Sequence, residues 1–224
     1  MKKVRIGLAG LGTVGSGVMR LIQENSGVIE QRTGLQLEVS AVLDLDFAGK
    51  EGLIPAEAKA TTQLEEFEST EHDITIELIG GTNTAKKVIE GAFAAGRSVV
   101  TANKALLAEY GQELFSSANK QELRYEAAVA GAIPVVQTLQ SSLTQNRINK
   151  MDGILNGTSN YILTRMFEER LSYEEILPEA QRLGYAEADP SFDVDGIDAA
   201  HKLALLANLA YSSFVPFDSI FVQG

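Results

Sequence analysis

The sequence predicts an α/β fold: a parallel sheet with helices on both faces, followed by a smaller α+β domain. Three observations predict it. Short apolar runs alternate with helix-length amphipathic segments up to about Gly131. A glycine-rich turn joins the first apolar run to the first helical segment. The rhythm then changes near Gly131 and Pro134, after which helical spacing dominates. Strands that alternate with helices need crossover connections, and those connections lay helices over both faces of a parallel sheet.

Taken in order, residues 4–9 form a compact apolar run, and 13–24 carry Val14, Val18, Leu21 and Ile22 on one side of a helix. Residues 37–43 are a second strand, ending at Asp44, and 74–79 a third, broken only by Glu77. A helix over 85–95 is ended by Gly96. A strand over 97–101, a helix over 103–119 and a strand over 123–125 complete a first domain at 1–133. In the second domain, 134–224, one strand is expected over 148–155, and helices over 158–169, 173–183 and 194–211. Residues 219–222 read as the start of a further strand. A lone terminal strand buries little, so the second domain is expected to be C-terminally truncated. No internal repeat or flexible linker is present.

Composition narrows the function. With 224 residues, 45% hydrophobic and 22% charged, the chain is long and apolar enough to bury a sizeable core, which excludes disorder. A net charge of -11 repels phosphate backbones, so nucleic acid and anionic membranes are not expected as partners. The absence of cysteine removes disulfides, zinc–thiolate sites, iron–sulfur clusters and thiol nucleophiles together. It also removes the thiohemiacetal chemistry of aldehyde-oxidising dehydrogenases. The most apolar stretch, 203–210, is short and interrupted by Asn208, so it is a buried helix rather than a membrane span. No apolar leader follows Met1, and a cytoplasmic location is expected.

Gly10-Leu11-Gly12-Thr13-Val14-Gly15 is a G-x-G-x-x-G turn placed directly after a strand and opening a helix. The first glycine permits the tight turn, the second lets the backbone approach a pyrophosphate, and the third lets helix and strand pack closely. The helix N-terminus adds amide donors and a favourable dipole for phosphate. This is the Rossmann dinucleotide-binding arrangement. Asp44 then stands where an acidic residue hydrogen-bonds the adenosine ribose. Its charge would repel a 2′-phosphate and no arginine adjoins it, which favours NAD over NADP.

Lys104 follows the 97–101 strand, at the carboxyl end of the sheet where ligands bind. A cation in a helix's first turn is mildly unfavourable, which points to a functional reason for it. Farther on, Glu187, Asp189, Asp193, Asp195 and Asp198 cluster around Pro190, and Lys202 follows. Asp198 and Lys202 are four apart and share one helix face. On local chemistry alone, a solvated acidic loop with a surface ion pair explains this stretch equally well.

The longer pattern resolves that tie. Ala180-x-x-x-Gly184-Tyr185-Ala186-x-x-Asp189-Pro190-x-x-Asp193-Val194-x-Gly196-x-Asp198-x-x-x-Lys202 resembles the signature of the homoserine dehydrogenases. The opening Ile6-Gly7-Leu8-Ala9-Gly10-Leu11-Gly12-Thr13-Val14-Gly15, then Thr101-Ala102-Asn103-Lys104, then Leu155-Asn156-Gly157-Thr158-Ser159-Asn160-Tyr161-Ile162 are similar to the same family. The resemblance implies reversible reduction of aspartate 4-semialdehyde to homoserine with NAD or NADP, in the route to threonine and methionine. It implies that Leu11, Thr13 and Val14 contact the cofactor. Lys104 and Gly184 would lie where cofactor and substrate meet, with Glu187 on the substrate ammonium. Asp198 and Lys104 would approach the reacting oxygen, with Lys202 the candidate proton donor.

The resemblance also implies a monovalent cation such as sodium held around Glu126, Val129, Gly131 and Ile133, and a homodimer in the full-length enzyme. The competing expectation is a catalytically incomplete polypeptide that only binds the dinucleotide. Retention of Lys104, Glu187, Asp198 and Lys202 argues for the enzyme.

Overall fold

The computed structural model describes residues 1–118 and 120–224, in two compact units, Met1–Ala128 and Val129–Gly224. In the first, the expected apolar runs become β1 (Lys2–Ala9), β2 (Leu35–Leu43), β4 (Ile74–Glu77), β5 (Ser98–Thr101) and β6 (Leu123–Arg124), with a short β3 (Lys59–Thr61) besides. Every neighbouring pair is parallel, in the order β3-β2-β1-β4-β5-β6. The chain thus builds outward from β1 on one side and returns to build on the other. Between β1 and β4 the order reverses, and a crevice opens there beyond the strands' carboxyl ends.

The helices are α1 (Thr13–Glu24), α2 (Ser26–Thr33), α3 (Leu64–Ser69), α4 (Asn83–Ala94) and α5 (Lys104–Ser117). The expected end of α5 falls on Asn119, outside the described residues. Successive strand residues point to opposite faces, and the core follows that alternation. Ile6, Leu8 and Val42 pack with Leu11, Met19 and Ile22 on one face. Ala9, Ala41 and Leu43 pack with Phe67 and Val88 on the other. Each fully buried large apolar side chain stabilises the unit by roughly 1.5–3 kcal/mol. The short elements β3, α2 and α3 have no clear sequence pattern. β3 pairs only with Ala41, Val42 and Leu43, α2 buries none of its residues, and α3 buries Phe67 alone.

The second unit holds α6 (Val135–Gln137), continued as a wider turn over Thr138–Ser142, then α7 (Gly157–Glu169), α8 (Tyr173–Arg182), α9 (Ser191–Val194) and α10 (Ile197–Tyr211). Ile162 of α7, Ile176 and Ala180 of α8, and Ala186 form its buried cluster. Two strand expectations fail here. Residues 148–155 form no strand, and 219–222, which begin at the end of a single 3₁₀ turn, Phe217–Ser219, form none either. A strand needs a ladder partner, and among the described residues of this unit there is none. The helix expected over 194–211 forms as α10 from Ile197, its start set by a break at Asp195 and Gly196 that separates it from α9. Gly196 has φ 78°, where other residues are strained, and a Cβ there would crowd Val222 Cγ1 at 2.9 Å, so glycine is favoured. No helix among the described residues is long and apolar enough to cross a membrane.

Candidate functional site

The glycine turn has the geometry its spacing predicts. Gly10 has φ +98°, and a Cβ there would sit 2.5 Å from Leu78 O. At Gly15 a Cβ would lie 1.9 Å from Gly10 O, so the third glycine lets α1 press against the turn. A Cβ on Gly12 would meet nothing within 4 Å. Gly10 and Gly15 are therefore required by the protein's own packing. Gly12, by contrast, lies on open space, the place where a pyrophosphate would come close. No side chain caps α1, and its first turn carries no acidic residue, which leaves its amide donors for an anion. Thr13 and Val14 are exposed beside it. The Leu11 side chain is wholly buried in the core, so what it presents to a ligand is main chain. A cavity of about 390 Å³ runs from Gly10 and Gly12 past Asp44, Leu78, Ile79 and Gly80. These residues fit a dinucleotide.

Asp44, just past β2, accepts the Leu11 N–H, and its Oδ1 accepts the Asp46 N–H at 3.0 Å. Burial would raise its carboxyl, but the Asp46 and Leu11 amides, with the Lys50 ammonium 3.8 Å away, hold it below the usual carboxylate range. On the other side of β1, Glu77 ends β4 with no exposure at all. Glu77 Oε1 accepts the Ile79 N–H at 2.7 Å and Oε2 accepts the Thr101 hydroxyl at 2.5 Å. Burial pushes this carboxyl above its usual range, against the opposing effect of those donors. Thr101 Oγ1 in turn accepts the Asn103 N–H at 3.0 Å. The Asn103 amide donates to Ile79 O at 3.2 Å and Gly81 O at 2.7 Å, while its Oδ1 caps α5 by accepting the Leu106 N–H at 3.1 Å. Lys104 follows at once as the first residue of α5, half-buried.

In the second unit, α10 brings Asp198 and Lys202 together. Lys202 Nζ donates to Asp198 Oδ2 at 2.5 Å and to Leu155 O at 2.8 Å. Asp198 is buried, so this is no surface ion pair. The Asn156 amide uses both hydrogens, on Asp198 Oδ2 at 2.9 Å and on Asp193 Oδ1 at 2.7 Å. Its Oδ1 accepts the Ser159 N–H at 2.7 Å and caps α7. Thr158 Oγ1 lies 2.6 Å from Tyr185 O and 3.0 Å from Asp193 Oδ2. Ser159 Oγ donates to Asp193 O at 2.8 Å. The start of α7, the acidic turn and α10 are thereby tied into one polar network.

The other expected residues lie as follows. Gly184 has φ +79° and is exposed just past α8, and Glu187 is exposed in the acidic turn, its main-chain oxygen held by the Gln181 amide at 3.0 Å. Glu126 begins a single 3₁₀ turn, Val129 is buried, and Gly131 and Ile133 are exposed. Ala130 and Ala132, on either side of Gly131, have φ 50° and 69°. Non-glycine residues adopt that conformation only where their surroundings impose it. Sequence reasoning gave no site role to Glu77, Thr101, Asn103, Asn156 or Thr158, and it noted Asp193 only as part of the acidic cluster. For Glu77 a signal existed, since it is the one charged residue in the 74–79 apolar run. Asn103 and Asn156 are N-caps, a role readable from an asparagine before a helix.

A glycine turn at the switch point, an acidic strand end and open α1 amides define a dinucleotide-binding α/β protein, here joined to a helical unit with a lysine paired to a buried carboxylate. Comparison with known proteins makes the class specific. The profile of the homoserine dehydrogenase NAD-binding domain matches residues 10–127, and the profile described as homoserine dehydrogenase matches residues 134–224. The homoserine dehydrogenases of Neisseria gonorrhoeae and Bacillus subtilis are 43% and 44% identical over 100% of this chain, which covers 52% of each. A crystal structure of a homoserine dehydrogenase from Thiobacillus denitrificans superposes with TM-score 0.91 at 42% identity, covering 100% of this chain and 52% of that one. A putative homoserine dehydrogenase from Archaeoglobus fulgidus superposes with TM-score 0.87 at 39% identity, covering 99% of this chain and 72% of that one. The chain belongs to the homoserine dehydrogenase family, and it spans about half the length of the curated relatives named here.

Proposed function

We propose that this polypeptide carries the cofactor-binding and proton-handling parts of a homoserine dehydrogenase, a cytoplasmic enzyme, homodimeric at full length. It would interconvert L-aspartate 4-semialdehyde and L-homoserine with NAD or NADP, in the route to threonine and methionine. The observation that carries this is the Asp198–Lys202 pair, 2.5 Å apart with its carboxylate buried, in a chain of this family.

When bound, the reduced nicotinamide supplies the hydride. As hydride reaches an aldehyde carbon, negative charge develops on the oxygen, and an ammonium both stabilises that charge and supplies a proton. Lys202 suits the task. Of its three donors, Asp198 and Leu155 O take two and fix the nitrogen, which leaves one for the substrate oxygen. Asp198 holds the lysine aligned, Lys104 serves the nicotinamide end, and the exposed Glu187 carboxylate takes the substrate ammonium. Gly10, Leu11, Gly12, Thr13, Val14, Gly15, Asp44 and Gly184 belong to the cofactor contact in the same reading.

Asp44, held ionised, supports NAD as the preferred cofactor. Lys50 beside it supplies a cation for a 2′-phosphate, and a 28% identical hyperthermophilic archaeal homoserine dehydrogenase is described in complex with NADPH. A sodium ion held by main-chain oxygens of Glu126, Val129, Gly131 and Ile133 is part of the proposal. The left-handed Ala130 and Ala132 support it, since such residues redirect successive carbonyls.

The test is to mix the chain with homoserine and NAD, then with NADP, and follow absorbance of the reduced nicotinamide, with Lys202→Ala alongside. Turnover that the variant lacks is expected. A second reading, binding without turnover, is favoured by the share of its relatives that the chain spans. It predicts saturable dinucleotide binding and no homoserine-dependent signal.

A further inference from the structure

Glu77 is the most heavily buried ionisable group of the nucleotide unit, and nothing in the cofactor site as described requires it. It sits on β4, inside a parallel sheet, where an apolar residue would normally fill the position. Burying a carboxyl without need is costly, so its partners show what it is for. A carboxylate only accepts, and its donors come from the loop after β4 and from the carboxyl end of the neighbouring strand β5, where Thr101 lies opposite Glu77. Oε1 takes the Ile79 N–H, in the loop after β4, and Oε2 takes the Thr101 hydroxyl, at the end of β5. Asn103 closes the ring. Its N–H reaches Thr101 Oγ1, and its amide reaches back to Ile79 O and Gly81 O. A hydrogen-bond network anchored on a fully buried carboxylate fixes geometry.

The ring's position gives it meaning. Asp44, which marks the adenosine ribose, lies past β2, on one side of β1. Glu77 and Thr101 lie on β4 and β5, on the other side. A dinucleotide laid across the switch point has its nicotinamide half there. Ile79 and Gly80 line the cavity beside Gly10, and Lys104 leaves directly from Asn103. We propose that Glu77 is a positioning residue for the nicotinamide half of the cofactor site, acting through Thr101 and Asn103 to set the spacing between the Ile79–Gly81 loop and Lys104. This rests on the first unit binding a dinucleotide.

The test compares affinities for the reduced dinucleotide and for ADP-ribose, which lacks the nicotinamide. The unsubstituted chain, Glu77→Gln, Thr101→Val and Thr101→Ser are titrated with each. Thr101→Val removes one hydroxyl with almost no change of shape, so it stands in should Glu77→Gln fail to fold. Glu77→Gln and Thr101→Val are expected to weaken the reduced dinucleotide about tenfold and to leave ADP-ribose within about twofold. Thr101→Ser, which keeps the hydroxyl, is expected to retain both affinities. Equal weakening of both ligands in Thr101→Val would mean a merely structural role and overturn the proposal alone, as would unchanged affinity for the reduced dinucleotide. Failure of the unsubstituted chain to bind either ligand would overturn the dinucleotide reading and this proposal with it.

Discussion

Asn103 in the first unit and Asn156 in the second do the same job with different partners. Each caps a helix with its side-chain oxygen and spends both amide hydrogens tying down two other groups. Asn103 ties the main-chain oxygens of Ile79 and Gly81, whereas Asn156 ties the carboxylates of Asp193 and Asp198. The contrast runs through both units. The cofactor site is built of main chain, namely glycines without Cβ atoms, open amides and strand ends. The proposed proton-handling site is built of ionisable side chains on α10 and the loops that brace them. A backbone-built site fails when the chain cannot take its path, and a side-chain-built site fails when a charge loses its partner.

That difference can be broken at chosen points. Gly15→Ala has the largest expected effect, because its Cβ would sit 1.9 Å from Gly10 O. The turn must shift, and a loss of about 3 kcal/mol or more is expected, seen as a lower urea midpoint together with lost dinucleotide binding. Asn156→Ala comes next. It removes a helix cap and two hydrogen bonds to carboxylates, a loss of roughly 2–4 kcal/mol in the second unit's transition, with ADP-ribose affinity intact.

A pH dependence follows from His72, which packs against Gly7 in the first unit. Burial, then the Arg97 guanidinium, push its pKa down to about 4 from an ordinary 6.5. The unfolded chain therefore binds a proton that the folded one refuses, and stability falls as pH drops from 6.5 towards 4. Urea midpoints at pH 7 and 5 should show this fall, and His72→Gln should flatten it. The smallest stability effect is expected for Gly12→Ala. With nothing within 4 Å of the added methyl, stability should stay within about 0.5 kcal/mol while dinucleotide affinity drops. Comparable destabilisation by Gly12→Ala and Gly15→Ala would end the distinction between a packing glycine and a ligand glycine.

What the sequence disclosed follows the same division. The βαβ rhythm and the glycine turn are local patterns, so the sheet, α1 and the positions of Gly10, Gly12 and Gly15 were legible from spacing alone. Asp198 and Lys202 were legible as a pair because four residues make one helical turn. Whether that pair was buried was not legible, since burial depends on Asn156 and Leu155, which arrive from more than 40 residues away. Three-residue β3 and the short α3 carried too little pattern to register. The strand expected over 148–155 read as apolar and extended. A sequence cannot show whether an extended segment has a partner to pair with, and this one has none among the described residues of its unit.

The most direct test of the account is Lys202→Met, assayed for homoserine-dependent reduction of the dinucleotide and, on the same sample, for dinucleotide affinity. Loss of a proton donor costs on the order of 10²–10⁴ in rate. Turnover should fall by that factor while dinucleotide affinity stays within about twofold of the unsubstituted chain. Undiminished turnover in Lys202→Met would contradict the assignment of proton transfer to Lys202. Loss of dinucleotide binding together with turnover would contradict the division of labour between the two units.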